Sequence, residues 1–246
     1  GCWSGRVVGG TLLVEFPLFD ETGVQTNTLS AVSHPGVTAD DLRRASQDGT
    51  VEKIVDEAFA AEGAADIEGR MAILRDVIIR LAKRTLETDA ELCPLRILGV
   101  EQPMNRTLTL PRSGRRVRIF GLADRIDRPD GEDAVRIVDY KTGSTAGKDD
   151  TRSAERLFRR DTRRPHIALQ LYLYEGLAKA VDAGRQYRPC IYSTRALFDE
   201  APAAVSLAEE EAARFDEMLA ETIEEIFTPE VPFDATENEE NCPFCP

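Results

Sequence analysis

No apolar run in this sequence approaches the ~20 residues a helix needs to cross a bilayer. Nor do the first residues show a basic segment leading into an apolar core and cleavage site. Neither a membrane span nor a secretory signal is expected. Cysteine is sparse as well: five residues, scattered, are too few for a disulfide framework, and a cytoplasmic protein is expected. The sequence has no internal repeat and no clear linker, and it lacks an initiator methionine, so a piece of a longer chain is expected. At 246 residues it can bury a large core within one structural domain. Residues 1–95 read as an N-terminal region and 96–246 as the core of that domain.

Negative charge is what the chain has in excess, and a net −13 argues at first against nucleic acid. The distribution of that charge argues the other way. Glu200–Pro246 holds 14 acidic residues and one basic, which leaves the preceding part neutral. Within that neutral part, Arg112–Arg118 holds four arginines and no acid, and Arg152–Arg164 holds six arginines against Glu155 and Asp161. Phosphate responds to local basic patches rather than to net charge. Arg115, Arg116, Arg159, Arg160, Arg163 and Arg164 are therefore candidate contacts to nucleic-acid phosphate. The competing reading is solvated arginine, since 26 of the 31 basic residues are Arg.

Along the chain, Gly1–Ser33 is the least readable part, with a strand at Thr11–Phe16 and a turn at Asp20–Gly23 its only suggestions. Helices are expected over Thr38–Arg44, Val51–Ala61 and Gly69–Thr88, and Thr38 followed by Asp41 resembles a capping box. Met71, Leu74, Ile78, Leu81 and Leu86 follow helical spacing and read as core. Ile97–Met104 reads as a strand carrying Glu101. Arg106–Leu110 and Arg115–Phe120 flank Pro111–Gly114 as an arginine-tipped hairpin. After a loop at Thr142–Asp150, Arg156–Arg164 is expected to be basic and partly mobile. His166–Ala183 reads as a helix, with Pro165 before its start and Gly184 past its end. Tyr187–Thr194 is a further strand and Leu207–Phe227 a long acidic helix. This order gives an α/β architecture, a central mixed β-sheet flanked by helices with an N-terminal helical region.

The chemistry concentrates between Gly121 and Gly143. Val117–Ile126 and Ala134–Tyr140 are apolar-periodic runs around a polar turn with Pro129-Asp130-Gly131. Proline presets φ there and glycine takes the position that needs φ > 0, a hairpin signature. Each run ends in charge that a buried strand would not choose: Asp124 late in the first, Asp139 with Lys141 closing the second. Residues two apart on a strand share a face, so Asp139 and Lys141 project together, and pairing brings Asp124 to the same end of the sheet. Two carboxylates and a lysine converging on one point read as a metal site. The competing reading is a structural carboxylate–lysine network. Tyr140 points to the opposite face and reads as core, and Asp127 reads as a salt-bridge partner of Arg125 or Arg128. Gln170 and Tyr174, four apart on one helical face, can line the site, although Tyr174 could also be core with Leu171 and Leu177.

Gly121-Leu122-Ala123-Asp124, then Asp139-Tyr140-Lys141-Thr142-Gly143, then Gln170-Leu171-Tyr172-Leu173-Tyr174 together resemble the PD-(D/E)XK nuclease superfamily, within it the RecB/AddB-type nuclease domain. The likeness extends from about Thr50 to the C-terminus and implies a restriction-endonuclease-like core acting on DNA. It implies Asp124 and Asp139 as ligands of Mg²⁺ or Mn²⁺, and Lys141 as the group that orients the attacking water or stabilises developing charge. Gln170 and Tyr174 touch phosphate or sugar in this picture, and Glu101 is an additional ligand or a nearby acid. The family's upstream histidine motif is not matched, because Gly23-Val24-Gln25-Thr26-Asn27 has none; His34, in a turn-like context, is the remaining candidate ligand. Some relatives hold a 4Fe–4S cluster through C-terminal cysteines. Cys242 and Cys245 have that spacing, but a third partner is missing and no cluster is expected in the chain as it stands. The implied partner besides DNA is an ATP-dependent helicase, as a subunit or another domain of the chain, in repair of broken DNA ends. The alternatives are a DNA-binding scaffold of the same fold that has lost activity, and a non-nuclease arginine-rich interaction domain.

Overall fold

The turn at Pro129-Asp130-Gly131 forms as its residues require, with Gly131 at φ +84. It joins β2 (Arg116–Pro129) to β3 (Val135–Lys141) in an antiparallel hairpin. The computed structural model describes residues 36–63, 68–142, 153–159, 165–193, 196–199, 202–204 and 207–232. Five strands lie in sequence order, β1 (Leu95–Thr109), β2, β3, β4 (Tyr187–Ser193) and the two-residue β5 (Ala203–Ala204). Every neighbouring pair is antiparallel except β3 and β4, so the sheet is mixed. A parallel pair needs a crossover, and α4 (Ala154–Phe158) with α5 (His166–Val181) lies within it. No helix among the described residues is long and apolar enough to cross a membrane.

Helix α5 seats on one face of the sheet, where Leu177 and Ala178 pack with Met104, Ala123 and Ile137. Helix α6 (Glu209–Ile226) extends this layer, its Phe215 and Leu219 packing with Leu157 of α4 and Tyr172 of α5. The opposite side receives α3 (Arg70–Ala90), which packs with α2 (Thr50–Ala61) through Val51, Val55, Phe59 and Leu86. Helix α1 (Ala39–Gln47) begins at the expected capping box, with Thr38 and Asp41 exchanging both hydrogen bonds.

Several expectations are corrected. Ile97–Met104 and Arg106–Leu110 are one strand, β1, which runs through Pro103. Proline is tolerated because β1 is the sheet edge and needs no donor on its free side. Met71, Leu74 and Ile78, expected in the core, are exposed. Ile79, Ala82 and Leu86 of α3 pack on α2 and Arg75 pairs with Asp56, whereas Met71, Leu74 and Ile78 have no described apolar cluster against them. The stretch expected to be partly mobile starts with a formed helix, α4. Ala154 and Leu157 are buried there, and the Ala154 N–H donates to Glu211 of α6 at 2.6 Å. Arg160, Arg163 and Arg164 lie outside the described residues.

Candidate active site

Strand β2 does not keep one alternation along its length. Ile119, Gly121 and Ala123 face α5, whereas Arg125 and Asp127 lie with the α3 side, Arg125 donating to Asp89 at 2.5 and 2.9 Å. The inversion falls at Asp124. Across the ladder, between the pairs Val100↔Arg125 and Gln102↔Ala123, Glu101 takes φ +47. The register of the pair shifts nearby, between Ile97 and Gly99, and such bulges increase local twist and are common beside active sites. Pairing between β2 and β3 ends at Arg125↔Val138, so the strands part just where Asp124 and Asp139 would next meet. The Asp124 carboxylate fills the fork, its Oδ2 accepting the Tyr140 N–H at 2.7 Å.

Asp139 is buried beside it, on the α5 side of β3 with Ile137. Lys141 Nζ stands 2.8 Å from Asp139 Oδ2 and donates to Gln170 Oε1 of α5 at 2.7 Å. Gln170 Nε2 then donates to the Tyr174 hydroxyl at 2.8 Å. The chain Asp139–Lys141–Gln170–Tyr174 thus links the end of β3 to one face of α5. Burial pushes the Asp139 carboxyl above its ordinary value and nearby Asp124 adds to this, while Lys141 opposes it. Burial likewise raises Tyr174. Among the described residues, Asp139 Oδ2 is buried with no well-formed hydrogen bond, only the ammonium contact. An under-satisfied anionic oxygen beside a second carboxylate fits a hard divalent cation, which takes oxygen ligands.

Gly121 sets how closely α5 can approach. A Cβ there would stand 2.9 Å from Tyr174 Cε1 and 3.1 Å from Leu177 Cδ1. Gly121→Val should therefore cost about 1–3 kcal/mol by overpacking and push Tyr174 off Gln170. Denaturant midpoints would check this, with an unchanged midpoint counting against the contact.

Of the other candidates, Glu101 is exposed, and no group of three or more His, Cys, Asp or Glu gathers as a ligand set among the described residues. His34, Cys242 and Cys245 lie outside the described residues. Arg115 sits at the far end of the β1–β2 ribbon with its guanidinium 4.7 Å over the Phe227 ring. Beside it, the Arg112 and Ser113 N–H groups donate to Glu224 of α6. Arg116 is exposed, eight residues and roughly 26 Å along the strand from Asp124. Arg159 follows α4.

Sequence reasoning missed a buried network behind the site. Asp127 pairs with Arg125 as expected, but chiefly with Arg136, at 2.6 and 2.8 Å. Asp89 of α3 accepts from Arg125 and from the Tyr192 hydroxyl at 2.6 Å. Arg125 also lies over the Tyr140 and Tyr192 rings. Two signals were available: an aspartate in the last turn of a helix, where the helix dipole disfavours it, and Arg136 set between Val135 and Ile137 in the apolar first part of β3. Ser193 was also missed. It is in register with Lys141, and its buried Oγ has no hydrogen-bond partner among the described residues.

A family model for the PD-(D/E)XK nuclease superfamily matches residues 28–246. No curated protein matches the chain. Among solved structures, the crystal structure of SSO0001 is similar over 88% of this chain and 86% of its own, at 14% identity and a TM-score of 0.36.

Proposed function

Since the chain belongs to the PD-(D/E)XK nuclease superfamily, we propose that it is a metal-dependent deoxyribonuclease using Mg²⁺ or Mn²⁺. The observation that carries this reading is the fork where Asp124, Asp139 and Lys141 meet, with Gln170 holding the lysine. Asp124 and Asp139 would hold the ion, which supplies an acidified water and neutralises charge on phosphate oxygens. Lys141, a compact ammonium with three donors, shifts its attention from Asp139 to the attacking water or the phosphate oxygen as charge develops. Gln170 keeps one of those donors engaged, so the ammonium pivots rather than wanders. Tyr174 orients Gln170 through its hydroxyl and presents a polar edge to the phosphate or sugar.

Within this reading the order of the three motifs favours a RecB/AddB-type exonuclease domain. It would work with an ATP-dependent helicase on broken DNA ends in the cytoplasm. The test is release of nucleotides from linear DNA with Mg²⁺ or Mn²⁺ against EDTA. DNA binding without metal-dependent cleavage would leave a binding scaffold and overturn the nuclease reading. Lys141→Ala should lower kcat about 10²–10³-fold, as for loss of one preorganised charge-stabilising group, with DNA affinity little changed. Loss of Mn²⁺ binding in that variant would make Lys141 structural instead.

A further inference from the structure

From Gln102 to Ala123 the chain carries no acidic residue and five arginines. In a protein of net −13 such a stretch keeps its surface free of the charge that repels phosphate. These residues form the projecting part of the β1–β2 ribbon. Its inner face is occupied: Leu108, Ile119 and Ala123 pack toward α5 and α6, and Arg106 is bound to Asp216. The outer face is open to solvent. Arg116, Arg118, Phe120 and Leu122 alternate along it on β2, opposite Thr107 and Asn105 of β1, and all six are exposed. Phe120 is 77% exposed, the most of any large apolar side chain described.

An uncovered aromatic ring beside arginines on an exposed two-stranded surface matches the chemistry of single-stranded nucleic acid. Bases stack on aromatic side chains regardless of sequence, and arginines take the phosphates. Phe120 is four residues, roughly 13 Å, from Asp124 on the same strand, on the face turned away from α5. We propose that the outer face of the β1–β2 ribbon is a track for single-stranded nucleic acid, with Phe120 stacking on a base and Arg116 and Arg118 contacting phosphate. The inference rests on the nuclease reading for nucleic acid as the occupant, and on the exposed ring and arginines for the surface that takes it.

The test is binding of fluorescein-labelled oligothymidine by anisotropy, in EDTA so that it is independent of cleavage. Phe120→Ala and Phe120→Leu should each weaken binding roughly 5- to 150-fold, the range for losing one stacked base. Phe120→Trp should retain it. Blunt duplex DNA, whose bases are paired, should bind all three alike. Arg116→Gln with Arg118→Gln should flatten the slope of log K against log[salt] by up to roughly 1.4, about 0.7 for each phosphate contact on a single strand. Phe120 is exposed, so unchanged melting is expected and folding does not confound the result. Wild-type affinity in Phe120→Leu would overturn the proposal, as would equal losses on duplex or no binding by the wild type. A wild-type dimer that becomes monomeric in Phe120→Ala would also overturn it and assign the face to a second copy. Binding that follows the expected pattern without cleavage would leave the track standing and remove the nuclease reading alone.

Discussion

Asp139→Asn should abolish metal-dependent cleavage, by at least about 10³-fold, while making the metal-free protein more stable. The activity loss follows from removing a ligand of the proposed ion, because transition-state stabilisation by a bound metal is worth several kcal/mol. The stability gain follows from the environment of the carboxyl. Burial, with help from Asp124, raises its pKa in the folded state despite Lys141, so the native protein holds this proton more tightly than the unfolded chain does. Ionised Asp139 therefore lowers stability above its folded pKa. The deficit shrinks as pH falls through that value toward the ordinary carboxylate pKa, where both states are protonated. In EDTA at neutral pH the variant should melt higher than wild type, and the gap should close on acidification. Mg²⁺ should raise the melting temperature of wild type by binding only the native state, and should leave the variant unmoved. Full cleavage by the variant, or an equal response of both proteins to Mg²⁺, would remove Asp139 from the ion's ligands.

Asp89→Ala should be the most destabilising single change outside the site. Asp89 is buried and accepts three hydrogen bonds, two from Arg125 and one from Tyr192. Its removal leaves the Arg125 guanidinium short of one of its two carboxylates. Breaking a buried pair by deleting one partner costs about 3–5 kcal/mol, which for a domain of this size is a fall of roughly 6–20 °C in melting temperature. Activity should fall as well, since Arg125 adjoins Asp124 in sequence and lies over Tyr140, the residue between Asp139 and Lys141. Asp89→Leu combined with Arg125→Leu should lose less than the two single changes added together, because no charge is then stranded. Additive losses in that cycle would mean the pair is not coupled.

Much of the architecture was legible because it depends on local chemistry. The capping box at Thr38, the Pro129-Asp130-Gly131 turn and the helix from His166 are written in neighbouring residues. The meeting of Asp139 with Lys141 follows from a period of two. Less could be read where the answer depends on what covers a face. The spacing of Met71, Leu74 and Ile78 marks one side of α3 as apolar, but periodicity does not say whether anything packs there. The joining of Ile97–Met104 with Arg106–Leu110 into one strand was not legible, because how far a strand runs depends on the partner it pairs with. The inversion at Asp124 was invisible, since Glu101 is not a residue type that announces φ > 0. Asp89, Arg125 and Arg136 lie 36 and 11 positions apart in the chain, and each alone resembles a surface charge.

The long β1–β2 ribbon also bears on the order in which the molecule assembles. Its strands are joined by a short turn at Pro111–Gly114, so its ladder closes small loops and is expected to zip early, on the microsecond scale of hairpins. The β2–β3 turn is equally local. The parallel pairing of β3 with β4 must wait for the whole intervening crossover to fold back, with the larger entropy of loop closure that this entails. Asp124 and Asp139 are thus brought near each other by short-range steps, whereas Gln170 arrives with the long-range one. A nascent chain would hold two close, repelling carboxylates before it holds the helix whose Gln170 fixes the lysine beside Asp139. The long-range closure is therefore expected also to be the step that completes the site.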